Sequence, residues 1–175
     1  MIDTRARMLI LGGARSGKSR RAEELAETWP HDVAYVATAR RFEEDAEWDA
    51  RIEAHRARRP ARWGTHEVPL DLPEALLDLS KPNRLMLVDC LTLWLSNCLL
   101  ETGAGRDAAL VNALALARGP VVLVSNEVGL GVVPENALAR RFRDAQGRLN
   151  VEVAAVCSHV ELVVAGIPMV VKGES

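Results

Sequence analysis

The sequence has no surplus of charge. Its 22 basic and 24 acidic residues nearly cancel, leaving a net −2 over 175 residues. That excludes a global basic field drawing the chain to nucleic acid or anionic lipid. Aromatic residues are scarce, at 4%. The arginine-rich stretch 56–62 is followed by Trp63 but by no spaced aromatic platform for single-stranded nucleic acid. The three cysteines, Cys90, Cys98 and Cys157, form no Cys-x-x-Cys pair. Their odd number argues against a disulfide framework or a thiolate zinc site. No apolar run reaches bilayer-spanning length, and residues 1–7 lack the apolar stretch and cleavage site of a signal peptide. The expectation is a cytoplasmic chain with no membrane insertion and no nucleic-acid partner. A guanine-reading Asn-Lys-x-Asp of regulatory GTPases is also missing. With 49% hydrophobic residues, the length suits one domain over residues 1–175 with a full core.

What is present centres on Gly12-Gly13-Ala14-Arg15-Ser16-Gly17-Lys18-Ser19. It fits Gly-x-x-x-x-Gly-Lys-[Ser/Thr], the phosphate-binding loop. An apolar run of strand length, Met8 to Leu11, precedes it, and helix formers from Arg20 to Glu27 follow. Glycines let successive backbone N–H groups turn toward phosphate oxygens, and the helix adds its positive end. Lys18 is expected on the β- and γ-phosphates, and the Ser19 hydroxyl on Mg²⁺.

Further apolar runs at 33–37, 85–88, 121–125, 159–165 and 169–172 predict strands, with an extended segment at 63–70. Helical patterns fall at 43–59, 72–79, 91–100 and 107–118, with a long one after Pro134. In that last helix Leu138, Phe142, Ala145, Leu149, Val153 and Val156 predict a core-facing stripe. Strands and helices alternate, so the expected fold is α/β, a P-loop nucleotide-binding fold with a mostly parallel central sheet flanked by helices. The strand at 85–88 closes on Asp89, the pattern of a carboxylate that binds Mg²⁺ directly or through water. Thr38, Ala39 and Arg40 follow the second strand, where they either touch the nucleotide or simply connect. Asn126 to Gly131, a polar pair followed by glycines, is either a substrate loop or an ordinary turn. His31 and His159 read as structural. His55 has two readings. It is a histidine on a solvated helix, or a neutral nucleophile whose pKa is lowered by Arg51, Arg56, Arg58 and Arg59.

Several blocks occur in order: the loop at 12–19, Tyr-Val-Ala-Thr-Ala at 35–39, Arg-Ile-x-x-His at 51–55 and Arg-Pro-Ala-x-Trp at 59–63. Val-Asp-Cys-Leu-Thr at 88–92, Ser-Asn-Glu-Val-Gly-x-Gly-x-Val-Pro-Glu-Asn at 125–136 and Phe-Arg-Asp-x-x-Gly-Arg-x-Asn at 142–150 follow. Together they resemble the bifunctional adenosylcobinamide kinase/adenosylcobinamide-phosphate guanylyltransferase of cobalamin synthesis, from Leu9 to Lys172. The resemblance implies phosphorylation of adenosylcobinamide by ATP or GTP. It then implies transfer of GMP from GTP to that phosphate through a GMP-histidine, which by position is His55. It implies catalytic roles for His55 and Lys18, with Mg²⁺ at Ser19 and Asp89. The implied nucleotide-binding set is Gly12 to Ser19, Ala37, Thr38, Ala39, Arg56, Ala57, Arg58, Arg59, Glu67 and Asp89. Glu67 suits guanine, since a carboxylate accepts from both N1–H and N2–H₂. A homo-oligomer, commonly a trimer, is implied as well. The competing expectation is a P-loop small-molecule kinase without the guanylyltransferase step.

Overall fold

Most short apolar runs rich in valine and leucine become strands buried on both faces, as a parallel sheet demands, whereas the run Ile167–Lys172 stays exposed at the sheet border. The computed structural model describes residues 3–40, 46–57 and 59–173. The strands are β1 (Arg7–Gly12), β2 (Asp32–Ala37), β3 (Gly64–Glu67), β4 (Arg84–Asp89), β5 (Val121–Asn126), β6 (His159–Val164) and β7 (Ile167–Lys172). They form one seven-stranded sheet in the order β3-β2-β4-β5-β1-β6-β7. All neighbours run parallel except β6 and β7, an antiparallel hairpin. The helices are α1 (Lys18–Glu27), α2 (Ala46–Ala57), α3 (Leu72–Leu79), α4 (Leu91–Thr102), α5 (Asp107–Leu116) and α6 (Ala137–Val156). The mostly parallel sheet flanked by helices is the expected α/β architecture.

Alternation along each strand sorts the core into two layers. Met8, Ile10, Tyr35, Leu85, Leu87, Val122 and Val124 pack with Ala22 and Ala26 of α1. Leu9, Ala34, Val36, Met86, Val88 and Leu123 pack under α3, α4, α5 and α6, around Trp94, Leu110 and Leu149. Each valine, leucine, isoleucine or methionine among them, fully buried, contributes about 1.5–3 kcal/mol. Among the described residues no helix is long and apolar enough to cross a membrane.

The first strand starts one residue before the expected run, at Arg7, which is buried. Its guanidinium donates to the carbonyls of Leu114 (2.7 Å), Gly119 (2.9 Å) and Ala117. It thereby satisfies orphan carbonyls at the end of α5. The stripe expected along α6 is only partly a core face. Ala145, Leu149 and Val153 are buried, but Leu138 is 60% and Val156 37% exposed. A helix of 20 residues is about 30 Å long, and its ends overrun the layer beneath it.

Candidate active site at the carboxyl edge of the sheet

Five parallel strands end side by side. Gly12 lies opposite Asn126, Ala37 opposite Asp89 on one side, and Ala37 opposite Glu67 on the other. Ligands of open α/β sheets bind beyond this edge. Most of the residues expected to act therefore sit on one rim: the phosphate loop on β1, Ala37 on β2, Glu67 on β3 and Asp89 on β4.

The loop between β1 and α1 has the backbone its glycines permit. Gly17 has φ 96° and Arg15 φ 57°. A Cβ at Gly12 would lie 2.8 Å from the Val163 carbonyl oxygen and against the Ser16 side chain. The loop is tied from both sides: Glu127 N–H donates to Gly12 O (3.1 Å), and Gly166 N–H donates to Ser16 O (2.8 Å). Lys18 Nζ reaches back to Gly13 O at 3.0 Å. Helix α1 has no side-chain cap and no acidic residue in its first turn. Its first N–H groups and dipole are thus left to an anion. Gly13, Ala14 and Arg15 are exposed, while Lys18 and Ser19 are half-buried.

Behind the loop, Arg21 donates from Nε and Nη2 to the two oxygens of Glu161, each at 2.8 Å. His159 Nε2 lies 3.2 Å from Glu161 Oε1. His159, read as structural, joins this cluster, in which Glu161 is buried and Arg21 and His159 are half-buried. The Arg21 guanidinium holds the Glu161 carboxyl below its ordinary range.

Asp89 sits half-buried at the end of β4. Its Oδ2 accepts from the Tyr35 hydroxyl at 2.8 Å, and Oδ1 has no hydrogen bond among the described residues. Burial, and then the Asp89 charge, pushes the Tyr35 phenol well above its usual pKa. Burial likewise raises the neighbouring Cys90 thiol to about 12, so it stays protonated. Thr38 is fully buried. Its hydroxyl donates to Cys90 O (2.7 Å) and accepts from Cys90 N–H (2.9 Å). The Asn97 amide donates to Thr38 O at 2.9 Å. Thr38 thus braces the Asp89–Cys90 backbone, and Ala39 follows it half-buried at the rim. A half-exposed carboxylate with one uncommitted oxygen, across the strand edge from a phosphate loop, suits Mg²⁺. That ion is commonly held by one or two carboxylates plus substrate phosphates.

Helix α2 runs within the β2-to-β3 connection and carries His55. The His55 side chain lies outside the described part of the structure, as does Arg58. Arg56 and Ala57 are exposed at the helix end. Arg59 turns back over the sheet, its Cζ 3.4 Å from the centre of the Tyr35 ring. Glu67 is exposed. The stretch from Asn126 onward is anchored by Thr92 Oγ1, which accepts from Asn126 N–H at 2.8 Å. Gly129, Gly131 and Val133 then form one wall of an open groove of about 620 Å³ against Arg143, Gly147 and Val151 of α6.

Residues 8–171 match the family model described as cobinamide kinase / cobinamide phosphate guanyltransferase. The chain belongs to this family. Members of the family are enzymes with two transfer activities, and so is this chain. It is 50% identical to the bifunctional adenosylcobalamin biosynthesis protein CobP of Pseudomonas aeruginosa, across 96% of this chain and 98% of that one. It is 42% identical to the bifunctional protein CobU of Salmonella typhimurium and 40% to that of Escherichia coli, each across 94% of this chain and 99% of the relative. Among solved structures, the flagellar accessory protein FlaH of Methanocaldococcus jannaschii matches with a TM-score of 0.54 at 12% identity, covering 99% of this chain and 80% of that one. The RadB recombinase matches with 0.53 at 16% identity, covering 91% and 74%. At such identities these two speak for the fold alone. Within the cobinamide kinase/guanyltransferase fold, reading single residues missed Arg21, Glu161 and Tyr35. Tyr35 stood in a matching block but carried no role.

Proposed function

We propose that this chain phosphorylates the aminopropanol hydroxyl of adenosylcobinamide with ATP or GTP, then transfers GMP from GTP to the resulting phosphate. The products are adenosylcobinamide-GDP and pyrophosphate. The observation that carries the reading is the shared rim: phosphate loop, Asp89 and Glu67 end on one sheet edge, with α2 inserted between β2 and β3.

In the first step the substrate hydroxyl oxygen attacks the γ-phosphorus, and the nucleoside diphosphate leaves. Lys18 and the N–H groups of Gly13 to Ser19 take up charge on the phosphate oxygens. Ser19 and Asp89 would hold Mg²⁺ together with the nucleotide, and the bound ion would supply charge neutralisation. In the second step a neutral His55 nitrogen attacks the α-phosphorus of GTP. An N–P bond forms, the bond to the β-phosphate oxygen breaks, and pyrophosphate leaves toward Lys18 and the loop. The cobinamide phosphate oxygen then attacks the same phosphorus and frees the imidazole. Arg56, Arg58 and Arg59 hold the charge that moves in both half-reactions. Glu67 reads guanine, Ala37 and Ala39 line the rim, and Thr38 serves it indirectly through the Asp89–Cys90 backbone.

The chain works as one domain in the cytoplasm and as a homo-oligomer, in the form of a trimer. Supporting association is β7, whose apolar Ile167, Met169, Val170 and Val171 are all exposed. Incubation with α-labelled GTP, adenosylcobinamide and Mg²⁺ tests the reading. An acid-labile, base-stable GMP adduct is expected in the wild type and absent in His55→Ala, which keeps its kinase product. Phosphorylation without any adduct or GDP product would leave the kinase-only alternative.

A further inference from the structure

We propose that Tyr35 is a positioning residue for the metal-dependent steps: its hydroxyl fixes the Asp89 carboxylate while its ring seats Arg59. The inference rests on the reading of Asp89 as the Mg²⁺ carboxylate. Tyr35 lies within β2, opposite Leu87 of β4, and is 1% exposed. Asp89 is two residues further along β4, about 6.6 Å at 3.3 Å per residue. A phenol is long enough to cover that span, and its hydroxyl meets Oδ2 at 2.8 Å. With Oδ2 taken, Oδ1 is the oxygen left for the ion or its water. A carboxylate bonded on one side cannot swing freely, so its other lone pairs stay aimed. Partners of this kind orient the groups that hold a metal.

The ring has a second neighbour. Arg59 Cζ stands 3.4 Å from its centre, two residues beyond the end of α2. Arg59 Nε is buried without a hydrogen-bond partner among the described residues, so packing on the ring holds this guanidinium. One side chain therefore links the end of the histidine-bearing helix to the end of the β4 strand. A phenylalanine would fill the same core volume and stack under the same arginine, but it would leave Asp89 unheld.

The test compares the full-length wild type with Tyr35→Phe and Asp89→Asn, titrating Mg²⁺ against GTP binding by calorimetry. Tyr35→Phe is expected to raise the half-saturating Mg²⁺ concentration about tenfold, with GTP affinity in EDTA unchanged. A second readout uses the fact that Tyr35 is the only tyrosine in the sequence. Labelling at ¹³Cζ gives one NMR signal, which should move when Mg²⁺ joins the GTP complex and stay still in Asp89→Asn. An unaltered Mg²⁺ requirement in Tyr35→Phe, beside a raised one in Asp89→Asn, overturns the proposal alone. An equal loss of GTP affinity with and without Mg²⁺ reduces Tyr35 to a core residue and also overturns it. An unaltered requirement in Asp89→Asn removes the reading of Asp89, and the proposal falls with it. Should Tyr35→Phe fold poorly, the wild-type label decides: a signal blind to Mg²⁺ refutes the idea.

Discussion

Arg21 and Glu161 form a two-pronged ion pair, with both N–O distances 2.8 Å, that pins the phosphate-loop helix to β6. Glu161 is 3% exposed and Arg21 29%. Replacing Glu161 with Gln at pH 7 should cost about 2 kcal/mol, below the roughly 3–5 of a fully buried pair because Arg21 reaches water. The folded protein holds the Glu161 carboxyl below its ordinary 4.5. Its contribution is therefore complete above that value and lost as acid protonates the folded carboxylate below it. Urea denaturation at pH 7 and pH 3 should show the gap between wild type and Glu161→Gln closing in acid. A gap that widens in acid contradicts the assignment.

Thr38→Val keeps shape and removes the hydroxyl that serves both polar groups of Cys90. Cys90 O keeps its bond from Trp94 N–H (3.2 Å), but the buried Cys90 N–H loses its partner, which should destabilise by about 1–3 kcal/mol. For a chain of this size that lowers Tm by roughly 2–12 °C. Calorimetric melting checks it, and Thr38→Ser should recover most of the loss.

Gly12→Ala places a methyl against the Val163 carbonyl and the Ser16 side chain. Backbone on one side and the loop on the other leave little room to yield. A stability loss of about 1–3 kcal/mol is expected, with a larger proportional loss of nucleotide affinity. Nucleotide titration beside a thermal melt separates the two.

Glu67→Gln should weaken GTP more than ATP, because one of two acceptors for guanine donors becomes a donor. Competition binding of both nucleotides to the variant measures this. Equal weakening would remove Glu67 from base reading.

The loop, the strand ends and the α/β alternation were legible because each is written in consecutive residues. Gly12 to Ser19 needs only its own spacing to be recognised, and Asp89 only the apolar run before it. The Tyr35–Asp89 bond was not legible. It joins residues 54 apart and depends on the β2–β4 register, which no local pattern states. Thr38 shows the same limit from the other side. A hydroxyl at a functional edge reads as a ligand group until its partner just past the neighbouring strand, Cys90, is known. Periodicity marked Leu138 and Val156 as core because it reports a face of α6, not the extent of the layer beneath. Arg7 went unread for a related reason. A charged residue ahead of an apolar run gives no sign of the carbonyls folding will gather around it.

The bond from Gly166 N–H to Ser16 O makes the turn of the β6–β7 hairpin a latch on the glycine-rich loop. The hairpin is thus not a detachable trim. Removing β7 is expected to loosen the proposed grip on triphosphate through the loss of this bond. A protein or tag that presses on that border strand is expected to be felt at the loop through the same bond.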